Sequence, residues 1–357
     1  MLDFLTNRLS DYSVNNFVNE LSAASKNLGI LEAKIDSYQF NGILIPLLQV
    51  KEARSSMYIE GTQATVTDIL QRELKPRSQE DKIQQEANNH VRTLIYGAEH
   101  LRTEKFTHSF MKKIHELMMN GIIAPELKNT LGKYKTKENR ITNSAGLVVY
   151  NPPLPSETKK YMDELISFMN NDDDRLNPLI KAAIMHSQFE SIHPFSDGNG
   201  RVGRVLVSLY MYKAKVINFP FFYISEAISV DKSVYYKMLT DSRVNSYDEW
   251  IRYFLNKIAL QTTKHISYID SLNALYRRTK KEVKGCINSP KFDEIIECLF
   301  TQPILNANIL EDKLTISHGQ AVRYLNTLEE KRILFSNDRK RGKTFFFAEL
   351  LDLVGEA

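Results

Sequence analysis

The sequence predicts a mostly α-helical protein of more than one domain, and three observations carry that prediction. Long stretches without proline repeat apolar residues at helical spacing, with charged residues between them. One stretch, residues 138–155, breaks instead into short β-prone runs around a turn. Gly285 and Pro290 then punctuate the chain after a basic run and set off a last segment of different pattern.

Taken in order, the first clear helix runs from Lys82 to Glu104. Ile83, Ala87, Val91, Leu94 and Ile95 fall near helical spacing there, and Gly97 is its only glycine. ENRITNSAGLVVYNPPLP (138–155) holds two β-prone runs around Asn143, Ser144, Ala145 and Gly146, closed by a double proline, which is a hairpin pattern. Ser156 opens a helix with Met162, Leu165, Ile166 and Met169 on one face. Tyr247 to Lys284 reads as one or two long helices ending in Arg277, Arg278, Lys280, Lys281 and Lys284.

The segment 291–357 reads as a separate small module. Phe292, Ile295, Ile296 and Leu299 mark one helix, and Ile309, Leu310 and Leu314 a second. Ser317 with Gln320 forms a capping box for a third, on which Val322, Leu325 and Leu328 share a face. Ile333 to Phe335 and Thr344 to Phe347 read as strands around SNDRKRGK. Three helices and a β-wing resemble a winged helix, a pattern that fixes no function.

Composition narrows the class. A chain of 357 residues with 43% apolar and 25% charged residues is ordinary for a soluble globular protein, and a formal charge of +4 singles out no partner. Cys286 and Cys298 lack any CxxC or paired-histidine pattern, so neither a disulfide nor a zinc site is expected, and a cytoplasmic location is. The start, MLDFLTNRLSDYS, is unlike a secretory signal, and the apolar runs at 42–50 and 219–225 fall far short of the roughly 20 residues a membrane helix needs.

The chemistry concentrates in HPFSDGNGRVGR, His193 to Arg204. Gly198 and Gly200 can turn successive amides inward to cup an anion, and the helical run that follows adds the positive end of its dipole. Arg201 and Arg204 are three apart and project from one face of that first turn, two forks suited to a polyphosphate. Asp197 offers one carboxylate at the edge of the cup, enough for Mg²⁺ when phosphate oxygens share the ion. His193 suits a general base at neutral pH. Rival readings of the run are a dinucleotide fingerprint, because GNGRVG matches GxGxxG, a zinc site using His186, and a plain loop joining two helices. Against the first, Met185, Phe189 and Ile192 in front of the run repeat at helical and not strand spacing. No structural zinc site uses the spacing of His193 and Asp197.

At every defined position the run is similar to the signature of the Fic family, His-Pro-Phe-x-Asp/Glu-Gly-Asn-Gly-Arg-x-x-Arg. The resemblance implies a Fic-type helical core with a β-hairpin flap and a protein adenylyltransferase that moves AMP from ATP to a target hydroxyl. It implies that His193 deprotonates the hydroxyl and that Asp197 binds Mg²⁺. Gly198, Asn199 and Gly200 would contact the α- and β-phosphates, Arg201 the β-phosphate and Arg204 the γ-phosphate, with Phe195 a buried anchor. Upstream, Ser56-x-x-x-Glu60-Gly61 resembles the inhibitory helix of class II Fic proteins, in which Glu60 would pair with Arg204 and fill the γ-phosphate position. SVYYKMLTDSR resembles the adenine-side helix, with Tyr235 or Tyr236 lining the pocket; Ser56 is also a candidate self-modification site.

The resulting division is an N-terminal helical region over 1–90 with the inhibitory helix at about 50–61, a core over 91–285, and the winged-helix-like module over 291–357. Expected partners are ATP and a protein with an acceptor hydroxyl; similar proteins suggest a homodimer. The wing (Arg339, Lys340, Arg341, Lys343) with Arg323 offers charge for DNA phosphates. Removal of AMP, transfer of another phosphate-containing group, and a DNA-binding nucleotide sensor stay open as alternatives.

Overall fold

The computed structural model describes residues 2–5, 14–37, 41–70, 82–142, 145–171, 176–244, 246–337, 339 and 342–355. Helix dominates. After a 3₁₀ turn at Val14–Phe17 come α1 (Val18–Ser37), α2 (Asn41–Ile59), α3 (Val66–Leu70), α4 (Lys82–Thr103) and α5 (His108–Met119). The hairpin follows as β1 (Ile141–Thr142) and β2 (Val148–Tyr150), antiparallel, then α6 (Pro155–Asn170), α7 (Pro178–Ile192) and α8 (Asn199–Lys213). α9 (Ser225–Ser229), α10 (Lys232–Ser242) and α11 (Asp248–Cys286) complete this part. Asn143 and Ser144, expected at the hairpin turn, lie outside the described residues.

The chain forms two compact units. The first takes Met1–Glu32, Ile59–Gly61 and Asn88–Thr263. Its centre is α7, on which every residue from Leu179 to Ile192 is buried, packed against α8, nearly as enclosed. Such helices show no clean apolar stripe, because no face of them meets water. α6 buries the four residues expected of it, Met162, Leu165, Ile166 and Met169. On α4, Leu94 is fully buried but Ile95 is 47% exposed, since the buried stripe passes through Ala98 and Leu101 instead.

The second unit takes Ala33–Tyr58, Thr62–Ala87 and Lys264–Ala357. Ala53 and Met57 of α2 pack there with Ile69 of α3 and Ala87 of α4. α2 ends as its sequence suggests: Gly61 has a φ of 93°, and the Thr62 amide donates back to the Met57 carbonyl at 2.9 Å, closing the helix.

The C-terminal segment of that unit runs α12 (Phe292–Thr301), β3 (Ile304–Leu305), α13 (Ala307–Leu314), α14 (His318–Glu330), β4 (Phe335–Ser336), β5 (Phe345–Phe346) and α15 (Ala348–Gly355). The strands form one antiparallel sheet in the order β3-β5-β4. The Ser317–Gln320 capping box forms as expected. Val322 does not join the buried face; at 37% exposure it yields to Ala321 and Tyr324, which lie with Leu325 and Leu328. β3 and α15 had no sequence signal strong enough to read. Arg339 and Lys343 are described, whereas Lys340 and Arg341 lie outside the described residues. Both cysteines are free. Among the described residues no helix is long and apolar enough to cross a membrane.

Candidate active site

The site begins where α7 stops. Its last turn ends at His193, which takes φ 49° and ψ 59° while its amide donates to the Phe189 carbonyl at 3.0 Å. A left-handed backbone is rare outside glycine and costs about 1 kcal/mol, so the surroundings must hold it. His193 Nδ1 lies 3.3 Å from the Glu190 carbonyl, which can only accept, so the proton sits on Nδ1 and Nε2 keeps a lone pair. Burial pushes the imidazole pKa down to about 4 against that hydrogen bond, leaving a neutral base at neutral pH.

Three side chains brace the loop that follows. Phe195 is fully buried, its ring stacked on His115 at 3.9 Å between centroids. His115 Nδ1 accepts from the Gly132 amide at 3.0 Å, which leaves Nε2–H to donate to the Asp197 carbonyl at 3.1 Å. Asn139 Nδ2 donates to the carbonyls of His193 and Phe195, each at 3.0 Å. Behind it, Lys135 Nζ donates to Asn139 Oδ1 at 2.8 Å and to the Ile192 carbonyl at 3.1 Å. Burial lowers the Lys135 pKa to about 8.

Gly198, at φ 77°, turns the chain into α8. Asn199 turns its side chain back on the loop, accepting from the Phe195 amide at 2.9 Å and donating to the Phe195 carbonyl at 2.8 Å, so the side chain shapes the loop and the backbone amide is left for a phosphate. Asp197 Oδ1 accepts from the Gly198 amide at 2.6 Å and faces Arg201 Nη2 at 3.5 Å.

Arg204 is 1% exposed in its side chain, and its Nη2 donates to Glu60 Oε1 at 2.7 Å. That same oxygen lies within 2.5 Å of where a Cβ on Gly200 would stand, so the carboxylate sits directly over the first turn of α8. Burial works to raise the Glu60 pKa, and the charges of Arg204 and Arg201 outweigh it and hold the carboxyl below its ordinary value. Burial lifts the Glu190 pKa to about 7, against the pull of the same guanidinium.

The two tyrosines part company. Tyr235 is 1% exposed, and its hydroxyl meets His186 Nε2 at 2.8 Å inside the core. Tyr236 keeps an open ring, and its hydroxyl donates to the Ile59 carbonyl, the residue before Glu60, at 3.2 Å. Ser56 is buried at 3%. His193, Asp197, Gly198, Asn199, Gly200, Arg201, Arg204 and Glu60 thus surround one spot, while Tyr235 and Ser56 are enclosed away from solvent. Sequence reasoning missed His115, Lys135, Asn139 and Glu190. His115 reads as one more polar residue on an amphipathic helix, and Lys135 and Asn139 fall in a stretch with no periodicity.

Residues 18–99 match the Fic/DOC family N-terminal region, and residues 105–211 match the Fic/DOC family, with the motif loop inside the second stretch. The chain belongs to the Fic/DOC family. A probable protein adenylyltransferase of Aquifex aeolicus is 29% identical over 125 residues, covering 29% of this chain and 39% of that one. The protein adenylyltransferase Fic of Nematostella vectensis is 36% identical over 64 residues, covering 18% of this chain and 15% of that one. The aligned part thus spans well under half the length of these relatives. The Fic fold also recurs in solved structures. A Fic family protein from Desulfovibrio desulfuricans superposes with a TM-score of 0.59 at 20% identity, covering 94% of this chain and 97% of that one. Fic-1 of C. elegans does so at 0.52 and 16% identity, covering 69% and 72%.

Proposed function

We propose that this Fic protein transfers AMP from ATP to a hydroxyl side chain of a target protein, and that Glu60 holds it in check. The observation that carries the reading is the Glu60 carboxylate seated on Arg204 and over Gly200, a negative group already occupying the anion cup. A site that holds a carboxylate between a buried guanidinium and a helix N-terminus suits the terminal phosphate of a nucleotide equally well.

In the proposed step the target hydroxyl approaches His193 Nε2, which takes its proton. The hydroxyl oxygen forms a bond to the α-phosphorus, and the bond from that phosphorus to the bridging oxygen of the β-phosphate breaks. Pyrophosphate leaves, and the target carries an AMP ester. The amides of Asn199 and Gly200 with Arg201 and Arg204 oppose the negative charge on the phosphates, a contribution fixed in advance by the bracing around Phe195.

Asp197 fits the Mg²⁺ that such a reaction uses. Its side chain is 39% exposed at the rim of the cup, and a single hard oxygen donor suits an ion that takes its other ligands from phosphates and water. When bound, the ion would neutralise phosphate charge. Tyr236, with its open ring, is kept for the adenine side. For the C-terminal residues 291–357 we propose a winged-helix module, and with it the division of the sequence into 1–90, 91–285 and 291–357.

The test is mass spectrometry of the Glu60→Gly protein after incubation with ATP and Mg²⁺. The reading requires added mass equal to AMP on the protein; unchanged mass in a folded, nucleotide-binding variant overturns it.

A further inference from the structure

We propose that Arg243 is the positioning residue that ties the β1–β2 hairpin to the catalytic helix, and so sets where a target hydroxyl is presented to His193. This rests on the transfer reading above. Arg243 follows the last turn of α10. Its guanidinium carbon stands 4.2 Å from the centre of the Tyr150 ring, and its Nε donates to Ser191 Oγ at 3.3 Å. Tyr150 is the last residue of β2 and pairs with Ile141 across the hairpin, while Ser191 lies on α7 two residues before His193. One side chain therefore touches the flap and the catalytic helix together.

The hairpin needs such a tie. An isolated pair of strands is marginal in water, and stability comes from packing one face on something else. Here consecutive residues of β2 both turn outward, Val148 at 46% and Val149 at 42% exposure, with Leu147 before them at 65%. These side chains are open to solvent, so the contacts at the two ends bear directly on where the strand lies. Asn139 fixes the entry through the His193 and Phe195 carbonyls. Tyr150 on Arg243 fixes the exit. A guanidinium is suited to this because its flat face covers the ring while its in-plane N–H groups still reach Ser191. An ammonium cannot do both.

The test uses the full-length Glu60→Gly protein, alone and carrying Arg243→Lys, Arg243→Ala, Tyr150→Phe or Tyr150→Val. Amide hydrogen exchange is followed over residues 147–150, with ATP affinity by calorimetry and self-modification by labelled ATP. In Arg243→Lys and Tyr150→Val, exchange in the hairpin should quicken by about tenfold, the scale of losing one partly buried cation–π contact. ATP affinity should hold and transfer should fall. Tyr150→Phe keeps the ring and should behave as the parent. Hairpin exchange unchanged in both Arg243→Lys and Arg243→Ala, or quickened no more than in the rest of the chain, overturns the assignment. If the parent fails to transfer AMP at all, the functional reading falls while the exchange data still judge the tie.

Discussion

Arg204 Nη2 donates to Glu60 Oε1 at 2.7 Å, although the two residues lie 144 positions apart, one on α8 and the other just past the end of α2. The arginine is enclosed, so removing Glu60 takes a carboxylate away from a buried charge. Glu60→Gly should therefore lower stability by about 1–3 kcal/mol, a cost moderated because the glutamate side chain is 26% exposed. It should also open the cup. In thermal melts the variant is expected to unfold several degrees earlier than the parent without nucleotide, and to gain more than the parent from added ATP. A variant melting at the parent temperature, with equal gain from ATP, would place the carboxylate outside the anion site.

If His193 is the base of the proposed transfer, its pKa sets the pH dependence. Its pKa is depressed to about 4, so the neutral form that accepts a proton is already present above that pH and disappears only below it. In the Glu60→Gly background, which also removes a carboxylate that raises the His193 pKa, the acid limb of kcat/KM assigned to this base should fall at or below pH 4 and not near the ordinary value of about 6.5. His193→Ala should remove transfer and leave ATP binding by calorimetry nearly intact. A limb near the ordinary histidine value would mean that the imidazole is solvated during turnover.

Much of this site was legible because it is local in sequence. Twelve consecutive residues from His193 to Arg204 carry the imidazole proposed as base, the turn and both guanidinium groups, and helix geometry alone brings the last two to one face. Glu60 was legible only because Ser56-x-x-x-Glu60-Gly61 resembles the inhibitory helix of class II Fic proteins, since nothing in the spacing announces a partner so distant. The bracing residues were not legible. Lys135, Asn139 and His115 act through backbone carbonyls and amides, and a backbone partner leaves no mark on composition or periodicity. The exposure of Ile95 and Val322 has the same origin: spacing names the candidates for a buried face, and the neighbouring helix decides which of two adjacent positions it covers.

Tyr236 offers a gentler way to loosen the proposed check. Its hydroxyl donates to the Ile59 carbonyl at 3.2 Å, satisfying one of the free carbonyls at the end of α2 directly before Glu60. Tyr236→Phe keeps the ring and loses only that bond, worth about 0.5–1.5 kcal/mol. Self-modification should rise by roughly twofold to tenfold over the parent, well short of Glu60→Gly. A fall in activity with weaker ATP binding would show instead that the hydroxyl serves the nucleotide.

His115 tests whether the motif loop is held from below. Phenylalanine in its place keeps an aromatic ring against Phe195 but can neither accept from the Gly132 amide nor donate to the Asp197 carbonyl. Both backbone groups would be left wanting partners in a buried site, at a cost of about 1–3 kcal/mol each. Chemical denaturation of His115→Phe should show that loss, and ATP affinity should weaken because the carbonyl that shapes the turn into Gly198 is no longer anchored. His115→Gln, which can both donate and accept, should recover part of each effect. If His115→Phe matches the parent in stability and in ATP affinity, the loop keeps its shape without the histidine, and the bracing belongs to Asn139 and Asn199 alone.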